Sequence, residues 1–217
     1  MKILIFLIGF FLATQISFGQ RMVYSDFVFI TDSIQNETHA DKKKLESIAD
    51  QFGWESKEIE EARKITFGHD TTNLNKLKTI IENENWNGNE LISKKILENL
   101  FFIIHFSEQA IIEKYLPLMR EVVKKSNVDG SHLAIVEDQF VVGQGKKQIY
   151  GSQIKEDKKT HLVYVSPLDD PDNVDKRLAA IRINPLAEYL KAFDIEWDVE
   201  QYKKDLPLYE LLENKEK

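Results

Sequence analysis

The chain of 217 residues contains no cysteine. This absence excludes disulfide bonds, zinc sites built on thiolates, and a cysteine nucleophile. It does not fix the compartment, although a chain without cysteine is harmless in an oxidising one. The sequence also lacks a phosphate-binding glycine loop, a G-x-S-x-G nucleophile turn and an H-E-x-x-H pair. The usual signatures of nucleotide binding, serine hydrolysis and zinc catalysis are therefore missing.

Proline and glycine are scarce, with five and nine residues respectively. Without repeats or a linker rich in these residues, the chain after its N-terminal segment favours one compact unit. The 42% of hydrophobic residues is enough for a core. The patterns below predict a mainly α fold, a compact helical domain with one short β-hairpin.

Positive charge is in deficit, with 29 Lys and Arg against 36 Asp and Glu and a net charge of -7. Because nucleic-acid affinity comes mostly from Lys and Arg on phosphates, this balance argues against a nucleic-acid partner. The run Lys42–Lys44 sits among acids and is typical of a solvated helix face.

One apolar run stands out, from Ile3 to Ala13, after the single charge of Lys2. Small residues follow, and the pattern predicts a secretory signal peptide over 1–19, cleaved between Gly19 and Gln20. The run is short for a membrane span, which needs roughly 20 apolar residues, although an uncleaved anchor is the alternative. We therefore expect an exported product, periplasmic or secreted, with no membrane span after cleavage.

Helical periodicity dominates the rest of the chain. It predicts helices on either side of Gly53 within 41–65, a helix over 70–81 capped by Asp70–Thr72, and a central buried helix over 90–106. A further helix should be kinked or restarted at Pro117, and another should begin near Asp129 or Ser131 and end at Gly143.

The period changes after residue 145. The stretches 148–154 and 161–167 predict two short strands of a hairpin. Short helices should follow within 170–181 and 185–193. We expect a signal peptide over 1–19, an N-terminal helical segment over 20–69, a core domain over 70–193 and a charged C-terminal tail over 194–217.

The element Gln148-Ile149-Tyr150-Gly151-Ser152-Gln153 resembles the Q-x-Y-G-[ST]-Q motif of an uncharacterised bacterial family, a domain of unknown function. The chain is similar to an exported, Bacteroidetes-like member of it. Further landmarks of the resemblance fall in order over about 70–193: Asn73, Leu77–Lys78, Ile80–Ile81, Trp86, His105, Leu116–Leu118, Asp138, Gly145–Lys146, Asp170–Pro171, Val174–Asp175, Arg177 and Pro185–Leu190.

The chain departs from the family pattern at two places. The family shows Gln-His-Ala-Asp around the histidine, whereas this chain has Ile104-His105-Phe106-Ser107 and lacks the carboxylate. The family tends to Asp-Arg where this chain has Asp138-Gln139. If a His/Asp pair acts in relatives, this copy has lost half of it, and the resemblance implies no activity.

His105 is the candidate catalytic residue, as a general base with a pKa near neutrality. The alternative is a buried histidine that fixes a helix junction through a backbone hydrogen bond. None of the five histidines is paired at helical spacing with another, so we predict no metal site and no cofactor. The acids between Asp169 and Asp175 lack the glycine and glutamate of a calcium loop and favour capping instead.

Candidate binding residues are Gln148, Tyr150, Gly151, Gln153, Asp138 and Arg177. In a regular strand Gln148 and Tyr150 share one face and Gln153 takes the other, but a bulge at Gly151 would bring all three to one pocket. They would suit sugars, peptides or amides. The alternative is that the glutamines satisfy backbone groups and pin the hairpin, and that Arg177 forms a surface ion pair.

We therefore expect a domain that binds a small molecule or a protein through this hairpin. The alternative is a hydrolase or transferase of unknown substrate, in which His105 acts with the hairpin polar residues. A single cavity shared by His105 and the hairpin would favour the enzyme, whereas hairpin polar groups that bond only backbone would weaken it.

Overall fold

The computed structural model describes residues 22–83, 86, 88–105 and 107–215, so the predicted signal peptide and its cleavage site lie outside the described residues. Within these ranges the chain forms eight α-helices and one two-stranded antiparallel sheet, and the mainly α prediction with one hairpin is confirmed. The elements are α1 (Tyr24–Phe52), α2 (Lys57–Glu82), α3 (Glu90–Ile104), α4 (Gln109–Lys125), α5 (Ser131–Gly143), β1 (Ile154–Glu156), β2 (Val163–Val165), α6 (Val174–Ala180), α7 (Leu186–Leu190) and α8 (Val199–Lys215).

Helix α3 is central, as its nearly continuous apolar surface predicts. Ile96, Leu100 and Ile104 are fully buried, and α1, α2, α4 and α5 all pack against this helix. The Asn89 side chain caps its start by accepting from the Ile92 amide at 3.3 Å. The five helices share one apolar cluster, which forms the core of the N-terminal half.

The prediction of a helix start at Asp70–Thr72 is wrong. Helix α2 begins at Lys57, where the Ser56 hydroxyl accepts from the Ile59 amide at 3.2 Å, and it continues to Glu82. The hydroxyls of Thr71 and Thr72 donate to carbonyls four residues earlier, at 2.9 and 3.0 Å, so these residues sit inside a helix without needing to cap one.

Pro117 lies within α4, which is one helix from Gln109 to Lys125, so no new helix starts there. Helix α5 begins at Ser131, whose amide donates to Asp129 Oδ1 at 3.1 Å, as the sequence predicts. Its last residue is Gly143, and the cap falls one residue later, at Gln144.

The strands are shorter than predicted. Residues 148–153 form a loop, and β1 begins only at Ile154; its Lys155 lies opposite Tyr164 of β2. Gln148 makes a single parallel bridge with Leu168. Gly151 has φ +84, a left-handed conformation that a regular strand does not contain. The motif is therefore a turn placed before the hairpin.

The segment expected to be a charged tail is helical over α8. Tyr202 of this helix is buried; its hydroxyl donates to the Ser166 carbonyl at 3.0 Å and accepts from the Leu168 amide at 2.7 Å. Together with β2, α6 and α7 it forms a second apolar cluster, the core of the C-terminal half. No helix in the described part of the chain has the length and apolar character to cross a membrane.

Candidate functional site

Asp138 of α5 organises the motif turn. One of its carboxylate oxygens, Oδ1, accepts from the amides of Ile149 and Tyr150 at 2.6 and 2.9 Å, and Oδ2 accepts from the Ser152 amide at 2.9 Å. Burial raises the pKa of Asp138, while the three amide donors oppose that rise. The three bonds fold the backbone around a single buried carboxylate, so Asp138 acts on the shape of the turn.

Gln148 closes the same turn from the other side. Its side chain is fully buried: Oε1 accepts from the Gln153 amide at 2.8 Å, and Nε2 donates to the Ser166 carbonyl at 2.7 Å. These bonds replace a strand ladder between the motif and the residues after β2. They occupy the amide that could otherwise bind a ligand.

Gly151 is required by sterics as well as by its dihedral. A Cβ at this position would lie 2.8 Å from Cδ1 of Leu186, the first residue of α7. A left-handed φ already disfavours a side chain, and here no space exists for one. Gly151 therefore allows the close approach of α7.

Gln153 and Arg177 also serve the backbone. Gln153 Nε2 donates to the Ile135 carbonyl of α5 at 3.4 Å. The Arg177 guanidinium donates to the carbonyls of Ile149, Asp170 and Asp169, at 2.8, 3.0 and 2.6 Å. Its surface ion pair with the Asp170 carboxylate, at 3.6 Å, is the weaker part of its role.

The Tyr150 side chain lines a cavity. The phenol lies close enough to the buried carboxylate of Glu137 to feel its charge, and Arg120 Nε donates to that carboxylate. Burial, reinforced by the negative charge of Glu137, raises the pKa of Tyr150. The phenol therefore stays neutral and can donate or accept a hydrogen bond.

The Tyr150 cavity, as we name it, has a volume of about 350 Å³ and lies between α4, α5 and the end of α6. Its polar walls are Arg120, Lys124, Glu137, Tyr150 and Arg182, and its apolar walls are Val123, Leu133, Ala180 and Ile181. Three cations against one carboxylate leave a surplus of positive charge.

Arg182 is held in place by the end of α4. Its Nε donates to the Val128 carbonyl at 3.1 Å and its Nη2 to the Ser126 carbonyl at 2.7 Å and to the Val123 carbonyl. Its backbone φ of +61 is left-handed. Carbonyls at a helix C-terminus favour a cation, so this guanidinium is fixed beside the cavity.

His105 lies elsewhere. Its ring stacks on Phe101 with a centroid distance of 4.8 Å, and its carbonyl accepts from Gln139 Nε2 at 2.7 Å. Burial lowers the pKa of His105. His105 is not among the residues that line the Tyr150 cavity. Of the hairpin polar residues proposed to act with it, Gln148 and Gln153 are engaged with backbone groups, and Tyr150 lines that cavity.

Residues 25–200 match a protein family described as a family of unknown function, DUF6624. This chain belongs to DUF6624. The expectation of an uncharacterised family is confirmed, and the match includes α1 and α2 as well as the stretch over 70–193 on which the resemblance rested. Neither the comparison with curated proteins nor that with solved structures found a match.

Sequence reasoning missed four polar residues of this cavity in the DUF6624 chain: Arg120, Lys124, Glu137 and Arg182. Glu137 and Asp138 are adjacent carboxylates in a helix that is otherwise mostly apolar, and that pair is the signal that could have drawn attention to both. Arg120 and Arg182 carry no comparable signal, because they are separated from Tyr150 along the chain and meet it only in the fold.

The described residues contain no group of three or more histidines or carboxylates suited to a metal ion. The acids between Asp169 and Asp175 act locally. Asp170 accepts from Asn173 Nδ2 at 2.9 Å, and Asp175 Oδ1 accepts from the Leu186 amide at 2.8 Å, at the start of α7.

Proposed function

We propose that this chain is a binding domain that holds a small organic anion in the Tyr150 cavity. The observation that carries the proposal is the hydrogen bond from the exposed Arg120 side chain to the buried Glu137 carboxylate, beside Tyr150, at the wall of a cavity with surplus positive charge. The rest of the motif holds the backbone of Tyr150 in position, because the turn is folded around the side chains of Asp138 and Gln148.

The cavity favours an anion because its cations are not all neutralised. Glu137 accepts from Arg120 through one nitrogen, Nε. A guanidinium carries five N–H donors, so the other donors of Arg120 are able to bind a carboxylate or phosphate in the planar geometry that arginine prefers. The Arg120 side chain is 53% exposed, which allows it to reach an incoming ligand.

The cavity also favours a small molecule over a protein. Its volume of about 350 Å³ is at the lower end of the range for ligand pockets. The apolar walls formed by Val123, Leu133 and Ile181 suit the carbon skeleton of an organic acid. We therefore expect a small carboxylate or phosphate ester with some apolar surface.

A hydrolase or transferase that uses His105 is the weaker candidate. The hairpin groups meant to assist it bond to backbone, and His105 does not line the cavity. Turnover would instead have to come from Glu137 or Tyr150, and the Glu137 carboxylate is already engaged by Arg120. Binding needs no such rearrangement.

Thermal unfolding of the mature chain, with and without a panel of citrate, succinate, benzoate, inorganic phosphate and glycerol phosphate, tests this function. A ligand raises stability by RT ln(1 + [L]/Kd), so one anion class should raise Tm. Arg120→Gln should abolish the shift and Tyr150→Phe should reduce it. Lys44→Gln, an equal change of charge at an exposed position of α1, should leave it intact.

Equal loss of the shift in Arg120→Gln and Lys44→Gln would contradict the proposal, because it would indicate a general response to net charge. NMR of the bound anion tests the rival. Conversion of the anion to a product, lost on His105→Ala, would establish the enzyme instead.

The same proposal includes export of the chain and the sequence motif that characterises its family. We infer that the mature chain starts at Gln20 and is periplasmic or secreted, as in an exported Bacteroidetes-like protein, and that Q-x-Y-G-[ST]-Q marks the family. The N-terminal charge, apolar run and small residues support export. The intact mass of the chain from the exported fraction would refute it if residues 1–19 were still present.

A further inference from the structure

We propose that this DUF6624 chain carries a second binding site. The site is a groove on the N-terminal half that takes an organic cation attached to an apolar or aromatic body. The groove, here called the Asp70 groove, has a volume of about 940 Å³ and is lined by α1, α2, the end of α3 and the start of α4. It shares no residue with the Tyr150 cavity.

Aromatic rings form much of the wall of this groove. Trp54 and Phe67 are 56% and 58% exposed, which is unusual for side chains of this size. Phe102 lies opposite, with the His39 ring edge-on to it at a centroid distance of 5.1 Å. The faces of aromatic rings attract organic cations, and their area binds apolar bodies.

The other charges of the groove largely cancel. Lys42 pairs with Glu46 at 3.9 Å and Lys64 with Glu60 at 2.9 Å. Arg63 and Glu108 carry opposite charges on the lining. Asp70 is the remaining charge, so the groove has one carboxylate more than it has cations.

Asp70 sits beside other polar groups whose hydrogen bonds are already made. On α1, Asp41 Oδ2 accepts from His69 Nδ1 at 2.7 Å, and Glu37 accepts from Asn73 Nδ2 at 2.8 Å. Within the described residues, no hydrogen bond or ion pair reaches the Asp70 carboxylate itself. Asp70 is a half-buried carboxylate beside aromatic rings, without an ion-pair partner among these residues. An organic cation would form an ion pair with it and pack against these rings.

The protonation of Asp70 is consistent with a missing cation. Burial and the charges of Asp41 and Glu37 raise the pKa of Asp70 to about 6, and only His69 opposes them. A bound cation would lower this pKa, and by linkage the affinity for the cation must rise as Asp70 ionises. The absolute affinity for the cation also depends on the other charged or titratable groups of the lining, which are Lys42, Glu46, Glu60, Arg63, Lys64, Glu108 and His39.

Two dyes of opposite charge test the proposal by equilibrium dialysis against the mature chain: thioflavin T, an aromatic cation, and 1-anilinonaphthalene-8-sulfonate, an aromatic anion. At pH 7.5 we expect thioflavin T to bind and Asp70→Asn to weaken it by about tenfold, the loss of one ion pair in a partly buried site. The anionic dye should bind Asp70→Asn at least as well as the wild-type chain.

The control is Asp194→Asn, the same change at an exposed position of the C-terminal half, which should alter neither affinity. Phe67→Ala removes an exposed ring without disturbing the core and should weaken the cationic dye. Lowering the pH from 7.5 to 5 should weaken thioflavin T binding more in the wild-type chain than in Asp70→Asn.

Three results would overturn the site: no binding of thioflavin T, equal losses in Asp70→Asn and Asp194→Asn, or equal losses of both dyes in Asp70→Asn. Thioflavin T is a cation and the Tyr150 cavity carries surplus positive charge, so binding of this dye does not depend on that cavity. Failure of the Tyr150 cavity to bind an anion is therefore a separate result.

Discussion

The two halves of the molecule are held together in different ways. In the N-terminal half, five helices bury apolar stripes against α3, and most of their backbone hydrogen bonds lie within the helices. In the C-terminal half, the loops between short elements are held by side chains that bond to backbone: Asp138, Gln148, Arg177, Tyr202 and Asp175. The N-terminal half is therefore stabilised mainly by burial of apolar side chains. The C-terminal half depends more on hydrogen bonds from polar side chains to the backbone.

Helix α5 joins the two halves through three consecutive residues. Successive helical residues are rotated by about 100°, so Glu137, Asp138 and Gln139 point in three directions. Glu137 reaches Tyr150, Asp138 reaches the motif amides, and Gln139 reaches the His105 carbonyl. One short stretch of helix thereby fixes the cavity, the turn and the junction after α3.

The strongest test of the contrast replaces one glycine in each half. Gly151→Ala should lower the free energy of unfolding by about 3 kcal/mol, because strain at φ +84 adds to the close contact with Leu186. Gly53→Ala has a similar φ of +89, with ψ 155, but nothing within 4 Å of the added Cβ, so only the backbone term of about 2 kcal/mol applies. Urea unfolding measures both.

Equal losses at the two glycines would mean that the approach of α7 does not constrain Gly151. The turn would then depend on backbone conformation alone. The contrast between the halves would be weaker than the packing of Leu186 suggests.

A smaller loss of stability is expected on substitution of Asp138, the carboxylate that accepts three backbone hydrogen bonds from the motif. Asp138→Asn keeps the shape but places an amide group where a carboxylate accepted three backbone donors, so at least one buried donor loses its acceptor. We expect a loss of about 2 kcal/mol in urea unfolding. Asp194→Asn, at an exposed position, should change stability by less than about 0.5 kcal/mol. A neutral Asp138→Asn would show that water, not Asp138, satisfies the turn.

The same contrast explains what the sequence could predict. Helix α3 and the later helices follow from apolar spacing, since periodicity reports burial directly. The hairpin was placed too early because Gln148 to Gln153 contain strand-forming residues, while Asp138, ten residues upstream of Gln148, pulls their amides into a turn. Local preference was overridden by a tertiary contact, and no local pattern carries that information.

Prediction of the site met the same limit. The motif residues are indeed close together, but Gln148 and Gln153 are used inside the fold and Tyr150 alone faces the cavity. Arg120 and Arg182 arrive from α4 and from the end of α6. Residue type identified groups able to bind a ligand, but only the tertiary arrangement shows which of them are already satisfied.

The smallest expected effect is an increase in stability, on substitution of Asp70 in the N-terminal half. The pKa of Asp70 rises from 3.8 to about 6 on folding, so between these values the folded chain binds more protons than the unfolded chain. Its ionisation therefore lowers stability as pH rises through this window, and the loss is complete above pH 6. Asp70→Asn removes this penalty and should raise stability at pH 7.5 by about 1 kcal/mol, after allowance for solvent screening of a half-exposed group.

The stabilisation by Asp70→Asn should disappear near pH 4, where the wild-type carboxyl is protonated in the folded state. Thermal unfolding of both chains at pH 7.5 and pH 4 measures the difference. The same substitution type thus separates the halves: Asp138 is a carboxylate that the fold uses, whereas Asp70 is one that the fold leaves without a cation. A destabilising Asp70→Asn at pH 7.5 would remove that distinction, because it would give Asp70 a structural role like that of Asp138.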